Sequence, residues 1–229
     1  MIKHLINKVG KELLGNSMWL LIDKAFRLAL GLFVSVIVAR YLGAENVGIW
    51  NYALAIFAFF SFFPSLGLEY IAPREFVKED RNPGEMITTI WVLKLLGGSL
   101  GVLMALLVMS ILKGPSDPII FLIFIVVGGF LFQSFDVIDY YFQSKLSQKR
   151  SVIARMIAFA VIATYKSTMV YFEADLVWFV ASSTIEFFIA SIGLVIAFFS
   201  WDQRPKLMKV NLKLAKDLLK DSIPFSASA

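Results

Sequence analysis

The chain has 229 residues, of which 59% are hydrophobic, 15% aromatic and 17% charged, with a mean hydropathy of +0.76 and a formal charge of +5. Soluble domains sit near about 45–50% apolar and about 25% charged, so this composition suits a chain whose solvent is a bilayer. There is no cysteine and one histidine, His4, which excludes a thiolate catalyst, a disulfide framework and a cysteine-based zinc centre.

The first residues, "MIKHLINKVGKELLGNS", have no apolar core followed by a small-residue cleavage site, so a cleavable leader is not expected in them. Residues 1–16 read as a short amphipathic helix at the cytoplasmic interface or, equally well, as a solvated tail. A helix needs about 20 apolar residues to cross a hydrocarbon core about 30 Å thick. Six runs qualify: Ser17 to Ala39, Val47 to Leu68, Ile87 to Leu112, Ile119 to Ile138, Ser151 to Phe172 and Leu176 to Phe199. Between them lie turn-forming stretches such as "YLGAEN", "KEDRNPGE", "KGPSDP", "QSKLSQKR" and "FEAD". Pro64 predicts a kink in the second run. Glycines 97, 98 and 101 predict close helix contacts in the third, and Gly128 and Gly129 in the fourth. Nothing alternates with period two, so a β-barrel is not expected. The expected fold class is an all-α membrane protein, with a six-helix lobe over residues 17–199.

Lysine and arginine fix an expected orientation. Lys3, Lys8 and Lys11 precede the first run, Arg74, Lys78 and Arg81 follow the second, and Lys145, Lys149 and Arg150 follow the fourth. Arg204, Lys206, Lys209, Lys213, Lys216 and Lys220 follow the sixth, whereas the opposite side has only Arg40 and Lys113. This places the N-terminus in the cytoplasm and the chain, multi-pass, in the cytoplasmic (inner) membrane. The positive charge is thereby explained by the membrane, and nucleic acid is not an expected partner. The five tryptophans fall near run edges, as interfacial belts require. Residues 200–229 read as a basic cytoplasmic linker, "KLMKVNLKLAKDLLKD". They end in "KDLLKDSIPFS", which parallels "KELLGNSMWLL" before the first run and so resembles the start of a truncated seventh helix.

Charges inside the runs are the candidate site, because each costs about 2.5–3.5 kcal/mol near a helix centre on insertion scales. At about 1.5 Å per residue, Asp23 lies roughly 9 Å and Arg27 roughly 15 Å in from the cytoplasmic edge. Their four-residue spacing allows them to pair. Lys24 borders that face, Lys94 lies level with Lys24, Lys166 is past the midplane and Glu186 is near it. A structural reading has Asp23–Arg27 as one satisfied pair, Lys94 and Arg155 reaching to the headgroups, and Glu186 meeting Lys166. A functional reading sets Lys24, Arg27, Lys94 and Lys166 against Asp23 and Glu186 as the wall of a cationic cavity for an anionic substrate. No Walker or HExxH pattern occurs, and the glycine-rich "LLGGSLGVL", although it reads G-x-S-x-G over Gly97 to Gly101, lies inside an apolar membrane run, so an enzyme is not expected, nor any cofactor or bound metal.

"VARYLGAENVGIWNYA" (Val38 to Ala53), "SLGLEYIAPREFVK" (Ser65 to Lys78) and "DVIDYYFQSKLSQKRSVIARM" (Asp136 to Met156) resemble, in order and spacing, the polysaccharide flippases of the O-antigen (Wzx-like) type within the MATE-like exporter superfamily. The resemblance covers essentially the whole chain. It implies one lobe of a two-lobe, alternating-access transporter that flips polyprenyl-pyrophosphate-linked oligosaccharide for O-antigen, lipopolysaccharide and related surface polysaccharides. It also implies as partners the bilayer, a second lobe or second copy, and polysaccharide polymerase or export proteins. Arg40, Gly43, Gly48, Arg74 and Glu75 match the family's signature and are expected to serve loop geometry and gating. Two other readings stay open: a truncated, non-transporting remnant or assembly partner, and a drug or ion exporter of the same superfamily, which would lean on buried carboxylates.

Overall fold

A computed structural model describes residues 2–78 and 81–226, with side chains described between 18 and 222. Among the described residues every regular element is helical. The elements are α1 (Ile2–Phe60), α2 (Phe62–Ser65), α3 (Leu68–Glu75), α4 (Pro83–Lys113), α5 (Pro118–Val127), α6 (Gly129–Phe132), a 3-10 turn (Gln133–Phe135), α7 (Asp136–Ser144), α8 (Lys149–Tyr171), α9 (Leu176–Phe199) and α10 (Leu212–Ser226). Four of the helical stretches are long and apolar enough to cross a membrane: Pro83–Lys113, Pro118–Ser144, Lys149–Tyr171 and Leu176–Phe199.

These four correspond to the third to sixth expected runs, and the sequence chemistry of their ends is visible. Asn82 accepts from the Gly84 and Glu85 amides with Pro83 in the first turn of α4, and Asp117 does the same for Ile119 ahead of α5. The fourth run continues beyond Ile138 to Ser144. A bend at Gly128 and the 3-10 turn absorb its irregularity without ending it, because the tyrosines and Phe142 that follow are buried. The sixth coincides with Leu176–Phe199.

The first two runs behave differently. They share α1, which is helical from Ile2 straight past the expected boundary at residue 16, and "YLGAEN" is no loop. The break there is one residue, Gly43, at φ 73° and ψ 169°. No atom lies within 4 Å of where its Cβ would be, so backbone conformation and not space calls for glycine. The second run, expected to reach Leu68 as one helix, stops at Phe60. Pro64 cannot donate to the ladder, and Leu66 and Gly67 are both left-handed, so the chain makes the short α2 and then turns into α3.

The glycines of α4 explain how that turn is seated. A Cβ on Gly97 would stand 2.3 Å from the Phe63 carbonyl oxygen, and one on Gly98 would stand 2.8 Å from that of Phe130. Only hydrogen fits, and α4 thereby receives backbone from α2 on one side and α6 on the other. Stacked Phe57 and Phe130, with ring centres 4.6 Å apart, close this layer. A second cluster of Leu68, Phe76, Met86, Tyr141, Phe142, Phe198, Trp201 and Leu218 holds the α3, α4, α7 and α9 ends against α10. The segment read as a linker plus the first turns of another span is an extended stretch followed by α10. Asn211 caps α10 through the Lys213 and Leu214 amides, and Leu214, Ala215, Leu218 and Ser222 form its buried face.

Candidate functional site

Position 27 of α1 faces both α8 and α9, and three kinds of acceptor or ring converge on its side chain. Arg27 Nε donates to Asp23 Oδ1 at 3.0 Å, one helical turn away. NH1 donates to Glu186 Oε1 of α9 at 3.2 Å, and NH2 to the Arg155 carbonyl of α8 at 3.3 Å. The guanidinium lies 5.1 Å from the Phe159 ring centre. A planar fork of donors can serve all of these at once where an ammonium could not. The side chains of Arg27 and Glu186 keep 30% and 26% of their surface open, so the pair is reachable from outside the helices.

One turn further along α8, Arg155 extends the network. Its NH2 meets Asp139 Oδ2 at 2.8 Å and Asp136 Oδ1 at 3.4 Å, both on α7. Beside Asp139, Tyr140 accepts a 3.1 Å bond from Lys94 Nζ of α4, whose side chain is 2% exposed and also lies 5.2 Å from the Tyr140 ring centre. Lys94 is therefore enclosed by protein, with a neutral phenol as its hydrogen-bond partner. These contacts count three cations (Arg27, Arg155 and Lys94) against four carboxylates (Asp23, Glu186, Asp136 and Asp139).

Other expected residues are distributed as follows. Lys24 is exposed on α1 beside the network. Lys166 stands over the Trp50 ring at 5.0 Å, lining a cavity of about 360 Å3 between α1 and α8 that also takes in Ser35, Asn51 and Phe159. Arg40 and Gly48 are exposed, and a Cβ on Gly48 would touch nothing within 4 Å. Arg74 is exposed in the last turn of α3. Glu75 is buried, with Lys78 at 2.6 Å and Arg81 at 3.0 Å, so it ties down the chain leading into α4.

The structural reading of the sequence has Glu186 meeting Lys166, whereas its ion pair is with Arg27. It also left out Asp136, at the end of the fourth run, and Asp139 and Tyr140, just past its expected end at Ile138. The i, i+3 spacing of the two aspartates inside an aromatic stretch was the available signal.

A family model described as "Polysaccharide biosynthesis protein" matches residues 13–229. The chain belongs to the polysaccharide biosynthesis protein family. It is a membrane protein of polysaccharide biosynthesis and transport, and both Arg27 and its partners lie within the matched region. No curated protein and no solved structure matches this member of the family.

Proposed function

We propose that this chain acts in flipping a polyprenyl-pyrophosphate-linked oligosaccharide from the cytoplasmic to the outer leaflet of the cytoplasmic membrane. Family membership carries the reading, and the bonds Arg27 makes across the helices to Glu186 and the Arg155 carbonyl give it a chemistry. In this reading the two halves of α1 on either side of Gly43 add two spans to the four apolar helices. The six form one lobe of a two-lobe MATE-like transporter with the N-terminus in the cytoplasm. Lysine and arginine crowding at one end of the runs supports that orientation.

Arg27 is the group that meets the pyrophosphate. Its fork already holds two carboxylate oxygens, so a phosphate enters by exchange for Asp23 or Glu186, with Lys24 exposed nearby to add charge. Lys166, with Trp50 and Asn51, lines the cavity next along the α1–α8 seam, which is open to the saccharide. Lys94 acts at a distance, by holding Tyr140 and hence the α7 aspartates that position Arg155.

The four carboxylates of the network favour a second reading, an ion- or drug-coupled exporter of the same superfamily. One experiment separates them. Cells lacking the protein should lose surface polysaccharide and accumulate lipid-linked oligosaccharide in the cytoplasmic leaflet, restored by the wild type but not by Arg27→Gln. An exporter of drugs or ions would leave surface polysaccharide intact on deletion and change drug or ion tolerance instead.

A further inference from the structure

Between α9 and α10 the chain runs without helix over most of residues 200–211, yet it is pinned at both ends of its passage across α4. A Cβ on Gly84 would stand 1.9 Å from the Lys206 carbonyl oxygen, so this strap crosses the first turn of α4 only because that residue is glycine. Further on, the Asn211 amide donates to Thr89 Oγ1 at 3.1 Å and its side chain donates to Glu85.

Between the anchors, Leu207 and Met208 hang over a groove of about 320 Å3 walled by Trp91, Phe135, Ile138 and Phe199. The groove is not closed, since Leu207 is 53% exposed, Met208 50% and Phe199 53%. Trp91 Nε1 is buried beside it without an acceptor among the described residues.

The rim is cationic. The Arg204 guanidinium donates to the Phe199 carbonyl and lies 5.5 Å from that residue's ring centre, at the mouth of the groove. Lys206 and Lys209, both exposed, bracket Leu207 and Met208. Asp202 is the one carboxylate between residues 200 and 211. All of this sits where α4 begins and α9 ends, the level at which an apolar span gives way to headgroups.

An open apolar slot edged by three cations matches an amphiphile with an anionic head. We propose that the groove holds one anionic phospholipid of the surrounding bilayer, with an acyl chain against Trp91, Ile138 and Phe199 and its phosphate on Arg204, Lys206 and Lys209. The strap thereby becomes a lipid-secured clamp over the start of α4. This site is separate from the Arg27 centre: Glu186 and Phe199 are 13 residues apart on α9, about 20 Å along the helix. It therefore stands or falls independently of the transport reading.

The test is retention of lipid by the full chain in detergent, read by native mass spectrometry after adding phosphatidylglycerol or phosphatidylcholine with identical acyl chains. The wild type should retain phosphatidylglycerol at least tenfold better. The Arg204→Gln/Lys206→Gln/Lys209→Gln variant should retain both equally, and Leu207→Asn/Met208→Asn should lose phosphatidylglycerol with every cation in place. Should the triple variant melt early in lipid-free detergent, Lys206→Gln/Lys209→Gln preserves the Arg204 bond to Phe199 and gives the same readout. Equal retention of the two lipids by the wild type, or an unchanged preference in the cation variants, overturns the proposal. Displacement of phosphatidylglycerol by geranylgeranyl pyrophosphate overturns it as well, by giving the groove to a polyprenyl chain.

Discussion

Arg27 of α1 and Glu186 of α9 are separated by 159 residues in sequence and meet at 3.2 Å inside the helical bundle. Removing Arg27 leaves Glu186 without its ion pair in a part-buried site, whereas removing Glu186 leaves Arg27 its bond to Asp23. The pair therefore records a constraint on how α1 and α9 sit relative to each other, and it is also the bond that an anionic ligand has to break.

Glu186→Gln should lower stability by about 1–3 kcal/mol, the scale of a hydrogen bond to a charged group. The double variant Arg27→Gln/Glu186→Gln should lose less than the sum of the singles, with a coupling of about 0.5–3 kcal/mol. Thermal melting of the four proteins in one detergent measures this, and strict additivity would deny the contact.

Lys94 and Tyr140 should respond oppositely to removal. Lys94→Met keeps volume and removes a buried charge, so melting should stay level or rise. Tyr140→Phe leaves the buried ammonium without its hydrogen-bond acceptor and should cost about 1–3 kcal/mol. A larger loss in Lys94→Met than in Tyr140→Phe would show that the ammonium has a stronger partner than the phenol.

The glycines divide by what surrounds them. Gly97→Ala forces the Phe63 carbonyl or α4 to move and should cost about 1–3 kcal/mol. Gly48→Ala meets open space in regular helix and should be neutral or stabilising by up to about 1 kcal/mol. Gly43→Ala is strained by φ 73° combined with ψ 169°, a backbone region essentially reserved for glycine, at a cost of about 1–3 kcal/mol. Melting temperatures of the three variants give the order directly.

Asn211 caps α10 and also reaches back to α4, so Asn211→Ala should cost about 0.5–2 kcal/mol for the cap alone. Hydrogen exchange should accelerate across residues 206–222 and not in α8 or α9. Uniform acceleration through the bundle would mean that α10 is integral to the fold and not a clamp upon it.

Much of this molecule was legible because bilayer chemistry writes in long words. Apolar runs of about 20 residues, Asn-Pro and Asp-Pro starts and the glycine seam of α4 each have one physical meaning, and the last four runs follow them. What stayed hidden was short or depended on partners. The left-handed Leu66 that turns α2 into α3 has no signature in a leucine. The partner of Glu186 could not be read from depth alone, because Arg27 and Lys166 were both within reach along the α1–α8 seam. Asp136 and Asp139 were passed over at a run edge, and with them the carboxylates that meet Arg155.

The central claim is that Arg27 serves passage of a lipid-linked pyrophosphate, and leaflet sidedness tests it most directly. Lipid-linked oligosaccharide would be labelled from outside intact cells that carry the wild-type protein, Arg27→Gln, or Arg27→Gln/Glu186→Gln. Abundant outer-leaflet label with the wild type and at least tenfold less with both variants, at equal protein in the membrane, is the predicted result. The double variant restores charge balance, so recovery of wild-type labelling in it would mean that Arg27 only neutralises Glu186, and the claim would be wrong.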